Sequence, residues 1–160
     1  MEERPFDFAN IKVVIKKGAD IVLEEIFLNR AWTSEHIPHF KPVIEGVNRT
    51  EGIEITLNCN LEAFKFCIDF LKCHDDDDKL DVLTKERISI ASVLNIMVTC
   101  DFLKLRQVYT HVFNEFFKPN FVAIVSECRL NLNNLSAHIM QDIATIANII
   151  QVKQVKERKD

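Results

Sequence analysis

Glycine is scarce in this chain. Gly18, Gly46 and Gly52 are the only three in 160 residues, which leaves no phosphate-cradling loop and no dinucleotide-binding fingerprint. Tyrosine and tryptophan occur once each against twelve phenylalanines, so the aromatic mass belongs to a core rather than to a wet binding face. No apolar run is long enough to span a bilayer. An excess of positive charge is missing as well. Twenty basic and 24 acidic residues give a net charge of −4, which excludes an electrostatic footprint for nucleic acid over the domain as a whole. The five cysteines (Cys59, Cys67, Cys73, Cys100 and Cys128) are odd in number and form no CxxC pair. Together with the lack of a signal peptide, they point to a reducing compartment, nuclear and/or cytoplasmic.

What remains is 48% hydrophobic, enough to exclude disorder along the whole chain and to build one domain with a sizeable core. Residues 1–10 form an N-terminal arm whose Phe6 and Phe8 need a surface to dock on. Ile11, Val13 and Ile15 alternate with Lys12, Val14 and Lys16, the period of a strand with one buried face. Gly18-Ala19-Asp20 reads as a turn, and Ile21 to Leu23 as the second strand of a hairpin. From Glu24 to Ile44 the signal is helical but broken, with Phe27, Leu28 and Ala31 sharing a face before Pro38 and Pro42 interrupt. Ile53, Ile55 and Leu57 alternate again as a third strand. Asn60 stands where it can cap the next helix, which has Phe64, Cys67, Ile68 and Leu71 as its apolar stripe. His74 to Asp78 reads as a solvated charged loop.

From Thr84 to Phe117 the spacing predicts two consecutive buried helices, with Thr84 as the first N-cap and Asp101-Phe102-Leu103-Lys104 as the joint. Pro119 ends the second. Phe121 to Val125 suggest a short helix, Asn131 to Asn134 a turn with Asn134 as cap, and Leu135 to Ile150 a final amphipathic helix. Beyond Gln151 the chain becomes polar and basic and is expected to fray or lead into a linker. Strands and helices mixed early, then helices alone, make an α+β fold, a small sheet covered by a helical cluster.

No arrangement of residues points to catalysis, and no serine stands in a nucleophile elbow. Cys67, Cys73 and His74, with Cys59, are the nearest approach to a zinc set, but Cys67 lies on the apolar stripe of its helix, where a thiol acts as a small hydrophobe. The expectation is therefore no catalytic residue, no metal and no cofactor. The tail Lys153, Lys156, Arg158 and Lys159 is diluted by Glu157 and Asp160 and has no aromatic residue for base stacking. Direct nucleic-acid binding is not expected of this domain.

The order of elements resembles a BTB/POZ domain. Ile11-Lys12-Val13-Val14-Ile15 is similar to that family's first strand, and Phe40 to the Phe that ends its early helical segment. Ile53 to Leu57 followed by Leu61-Glu62-Ala63-Phe64 is similar to its strand before an x-x-x-Phe helix. Val93-Leu94 through Asp101-Phe102-Leu103 resembles its helix pair with an Ala-Ala-Asp-Phe-Leu joint. On this resemblance residues 11–117 are the core, 118–150 a C-terminal helical extension and 151–160 a basic tail or linker. Three features depart from the family. Its charged-pocket pair, an Asp before the first strand and a basic residue entering the first helix, falls on Asn10 and Glu25. Ser34 stands six residues before Phe40 rather than three, and Lys72-Cys73-His74 replaces a Tyr-x-Gly.

The resemblance implies a non-enzymatic interaction module that homodimerises within a nuclear regulatory protein. The processes implied are of the class switch recombination or transcription type, with co-repressor recruitment. Its expected interface comprises Phe6, Phe8, Ile11, Val13, Ile15, Phe27 and Trp32, on the premise that Ile11 to Ile15 form a strand with an unpaired edge. The alternative is a cullin-type ubiquitin ligase adaptor, for which Val43-Ile44-Glu45 resembles the hydrophobic-x-acid signature; there Val43 and Glu45 would touch the scaffold.

Overall fold

The computed structural model describes residues 9–73, 75–127 and 135–159, residues 152–159 as backbone alone. Strand β1 (Asn10–Lys17) pairs antiparallel with β2 (Ile21–Asn29) across a turn at Gly18, whose φ of +70° suits a residue without Cβ. On its other side β1 pairs in parallel with β3 (Ile53–Leu57), Ile11 opposite Ile53 and Ile15 opposite Leu57. The strand order is β2-β1-β3. β1 is therefore central, and the expectation of an unpaired edge along it is corrected. Ile11, Val13 and Ile15 are completely buried in the chain's own core.

The hairpin also corrects the reading of Glu24 to Asn29. Phe27 and Leu28 lie in β2, not on a helix. Residues 24–29 read Glu-Glu-Ile-Phe-Leu-Asn, too short and unpatterned to fix a period, and pairing with β1 makes them strand. A register shift between Ile15 and Lys16 leaves Leu23 without a partner, the mark of a bulge. On the solvent face Lys12 reaches Glu25 at 3.2 Å and Glu54 at 3.7 Å, tying all three strands.

Helix α1 (Arg30–His36) starts at Asn29, whose side chain accepts from Trp32 N. The residue that enters the first helix is thus Arg30, not Glu25, which sits mid-strand. Helix α2 (Lys41–Glu45) carries Pro42 near its start, where the missing N–H costs nothing. Helix α3 (Leu61–Lys72) is capped by Asn60 as expected, Oδ1 accepting from Ala63 N at 2.9 Å. It buries Phe64, Phe66, Cys67, Ile68 and Phe70.

The acidic run is a helix start rather than a loop. Asp76 accepts from Lys79 N at 3.1 Å, and Asp77 and Asp78 occupy the first turn of α4 (Asp77–Arg87). There the helix dipole favours anions. Thr84 is inside this helix, donating to Leu80 O at 2.8 Å, so it caps nothing. The next helix, α5 (Val93–Phe102), follows a turn in which Ser89 N donates to Ser92 Oγ and Ser92 N donates to Ser89 Oγ. That reciprocal pair is built like a capping box and splits the expected first helix in two.

The joint at Asp101 to Lys104 lies where the spacing puts it, and its geometry is a Schellman closure. Leu105 N donates to Cys100 O at 2.8 Å and Lys104 N to Asp101 O at 3.2 Å, with Lys104 at φ +58°. Helix α6 (Arg106–Val112) continues into a π-helical turn, Phe113–Phe117, which ends before Pro119. Helix α7 (Phe121–Glu127) and helix α8 (Ala137–Lys159) complete the chain. Ser136 accepts from Ile139 N at the start of α8; the expected cap Asn134 lies outside the described residues, with Cys128 and the Asn131 to Asn134 turn. The backbone stays helical through Lys159 rather than changing at Gln151. The architecture is α+β, a small mixed sheet covered by helices.

Candidate interaction surfaces

The residues expected at an interface separate into three groups. Phe6 and Phe8 lie outside the described residues, and Ile11, Val13 and Ile15 belong to the core. Phe27 is 62% exposed on β2, while Trp32 is half-buried on α1, stacked on His36 at 4.9 Å between ring centroids. Phe27 and Trp32 were expected on one helix; the structure divides them between a strand and a helix. Ile21, Val22 and Leu23 are exposed on the same strand as Phe27. Large apolar side chains left bare on an edge strand are what such a strand usually avoids. Val43 and Glu45 are both exposed on α2, with Ile44 between them buried and Glu45 near Lys41 at 3.9 Å.

Arg30 was missed by sequence reasoning. Its guanidinium donates to four backbone carbonyls, Val47 O at 2.7 Å, Ile44 O and Asn48 O at 3.3 Å and Glu51 O at 3.5 Å. These belong to the end of α2 and the loop after it, where Ile44 O also accepts from Val47 N at 3.4 Å and Asn48 O from Glu51 N at 3.0 Å. Only a planar fork of donors spans such a set. One Arg at a helix start carries no sequence signal for this.

A second cluster ties α8 to the body. Tyr109 donates its hydroxyl to Asp142 at 2.7 Å, and His138 lies 3.3 Å from Asp101 and 3.4 Å from Asp142. Burial, then the hydrogen bond to Asp142, pushes the Tyr109 hydroxyl well above its ordinary value. The Thr84 hydroxyl, which donates to Leu80 O, also lies 2.9 Å from His111 Nε2.

Cys59, Cys67 and Cys73 are held protonated. Cys67 and Cys100, both fully buried, approach to 3.5 Å between sulfurs, and that contact followed by burial pushes the Cys67 thiol up. Burial raises Cys59 to about 11. Burial and the nearby Asp69 carboxylate raise Cys73, whose thiol donates to Asp69 O. A thiol in this state is a poor nucleophile and a poor metal ligand. Among the described residues no three His, Cys, Asp or Glu side chains converge on a metal position, and no helix is long and apolar enough to cross a membrane. His74 of the expected zinc set lies outside the described residues. No protein-family model matches this chain.

Proposed function

We propose that this chain is a BTB/POZ-like, non-enzymatic interaction module that homodimerises within a nuclear regulatory protein, in processes such as class switch recombination or transcription. The observation that carries the reading is Phe27, 62% exposed on an edge strand that also bares Ile21 and Val22. Two copies that cover this strand remove apolar surface from water twice, about 2 kcal/mol for each large side chain fully buried. The element order, a hairpin, two short helices, a third strand and then helices alone, supports the same reading. On it the interface draws on Phe27, Trp32 and the arm carrying Phe6 and Phe8, and the dimer is the platform for a co-repressor or other regulatory protein.

Light scattering of the whole chain at low micromolar concentration tests this. A dimer mass is expected, falling to a monomer with Phe27→Asp. A monomeric wild type refutes the reading, as does a dimer indifferent to both Phe27→Asp and Trp32→Ala. The cullin-adaptor alternative is favoured by one observation, the accessibility of Val43 and Glu45 on α2. In a pull-down with a cullin N-terminal domain we expect no stoichiometric capture; capture lost on Glu45→Ala reverses the order of the two readings.

A further inference from the structure

A groove of about 900 Å3 lies between the tip of the β1–β2 hairpin, the turn from Asn58 into α3, and the outer side of α5. Its floor is apolar for a reason visible along α5. Leu94, Val98 and Phe102 recur every fourth residue, one stripe of the helix. The other side of that helix, with Val93, Ile96, Met97 and Cys100, is buried in the core. Phe102 is 50% exposed, with a ring contact to His39 at 4.6 Å. Leu23, the unpartnered residue of the strand bulge, lines the groove from the hairpin side. A bulge re-aims a side chain that regular pairing would hold against the sheet.

The rim is charged, and asymmetrically. Lys16 and Lys17 line it at the end of β1, and among the described residues neither has a carboxylate within ion-pair range. Glu62, the acid of the lining, acts on the Lys65 ammonium. A chain with net charge −4 thus presents two cations, unmatched among the described residues, beside an apolar floor. A two-fold copy seated with Lys16 and Lys17 at the axis would bring the same basic rim back to itself, since only residues at the axis of such an interface meet their own image. Charge complementarity calls for a surface that is acidic at one end and apolar along its length.

We propose that this groove docks an amphipathic peptide segment of a partner protein, with apolar residues at i and i+4 laid along α5 and carboxylates at the end that meets Lys16 and Lys17. The apolar floor supplies contact area, and the lysines fix the direction in which the segment lies. The proposal rests on the reading of this chain as an interaction module, but not on where its dimer contact lies.

The test is selection of a library of short helical peptides on the intact chain, followed by fluorescence anisotropy of the enriched sequences. Enriched peptides should pair an i, i+4 apolar stripe with Asp or Glu at one end. Their affinity should fall about tenfold or more with the Lys16→Glu/Lys17→Glu double variant and with Phe102→Asp, and should weaken in high salt. Lys17 and Phe102 are exposed and Lys16 half-exposed, so thermal melts of both variants should match wild type, which separates lost binding from lost folding. No enrichment, enrichment of basic or uncharged peptides, or undiminished binding to the variants overturns the proposal. Light scattering of the same variants distinguishes it from the dimer reading. Their mass should equal that of wild type, and dissociation on charge reversal would make the groove a contact between copies and end the proposal. Loss of the dimer with Phe27→Asp while peptide binding persists keeps the groove and moves only the dimer contact.

Discussion

Arg30→Met is the most informative single change to the fold. Met keeps an unbranched apolar stem of similar reach and removes all five donors, so it separates hydrogen bonding from packing. The guanidinium makes one short bond, 2.7 Å to Val47 O, and three longer ones at 3.3 to 3.5 Å. The contacts to Ile44 O and Val47 O are part-buried; Ile44 O keeps a long bond from Val47 N, so losing the donor strands chiefly Val47 O, where water reaches poorly. The short charge-assisted bond alone contributes about 2 kcal/mol, and the longer three together bring the loss to about 3 kcal/mol. For a chain of this size that lowers the melting temperature by roughly 10 °C. Arg30→Lys keeps a charge and the shortest contact but cannot bridge the set, so about half the loss is expected. Urea unfolding of the three proteins, with amide exchange at residues 47–51, measures both the total and its location. A Met variant within about 0.5 kcal/mol of wild type would show that the carbonyl set is satisfied by water instead, as would a Lys variant less stable than Met.

Tyr109→Phe removes the hydroxyl that joins α6 to Asp142 on α8 and should cost about 2 kcal/mol at neutral pH. The same group has a folded-state pKa above its unfolded value of about 10. The folded form therefore keeps its proton where the unfolded form releases it, and this contribution is complete below pH 10 and is lost as pH rises beyond it. The difference in unfolding free energy between wild type and Tyr109→Phe should accordingly shrink between neutral pH and pH 11, and a constant difference would refute the assignment. Lys104 closes the α5–α6 joint at φ +58° with a side chain exposed to solvent. Lys104→Gly should stabilise the chain by about 0.5–1 kcal/mol in urea unfolding, because the left-handed conformation is strained for any residue with a Cβ.

Much of this fold follows from local rules that can be read along the chain. The alternation of Ile11 to Ile15 and of Ile53 to Leu57, the turn at Gly18, the cap at Asn60, the stripe from Phe64 to Leu71 and the joint at Asp101 to Lys104 all stand where spacing puts them. Each depends on residues within a few positions of one another. Where local signals competed, neighbours in space decided. Glu24 to Asn29 has an apolar run too short to fix a period, and hydrogen bonds to β1 made it a strand. The run from Thr84 to Cys100 is apolar enough for one helix, but Ser89 and Ser92 cap each other and start a second. Asp75 to Asp78 looks like a solvated loop until Leu80 and Thr84 are buried behind it, which turns the acids into a helix start.

The surfaces were least legible. Ile11, Val13 and Ile15 look the same in sequence whether their strand is central or at an edge, because alternation reports that one face is buried and says nothing of how many strands flank it. Arg30 carries no mark of the four carbonyls it gathers, since those belong to residues 14 to 21 positions away. Leu94, Val98 and Phe102 read as part of an apolar helix, and only the packing of α5 shows which side of it is left open. Composition and periodicity act over one or two turns of chain. Strand order, a guanidinium bridge and a groove are made by segments distant in sequence, and their positions are set by how the whole core closes.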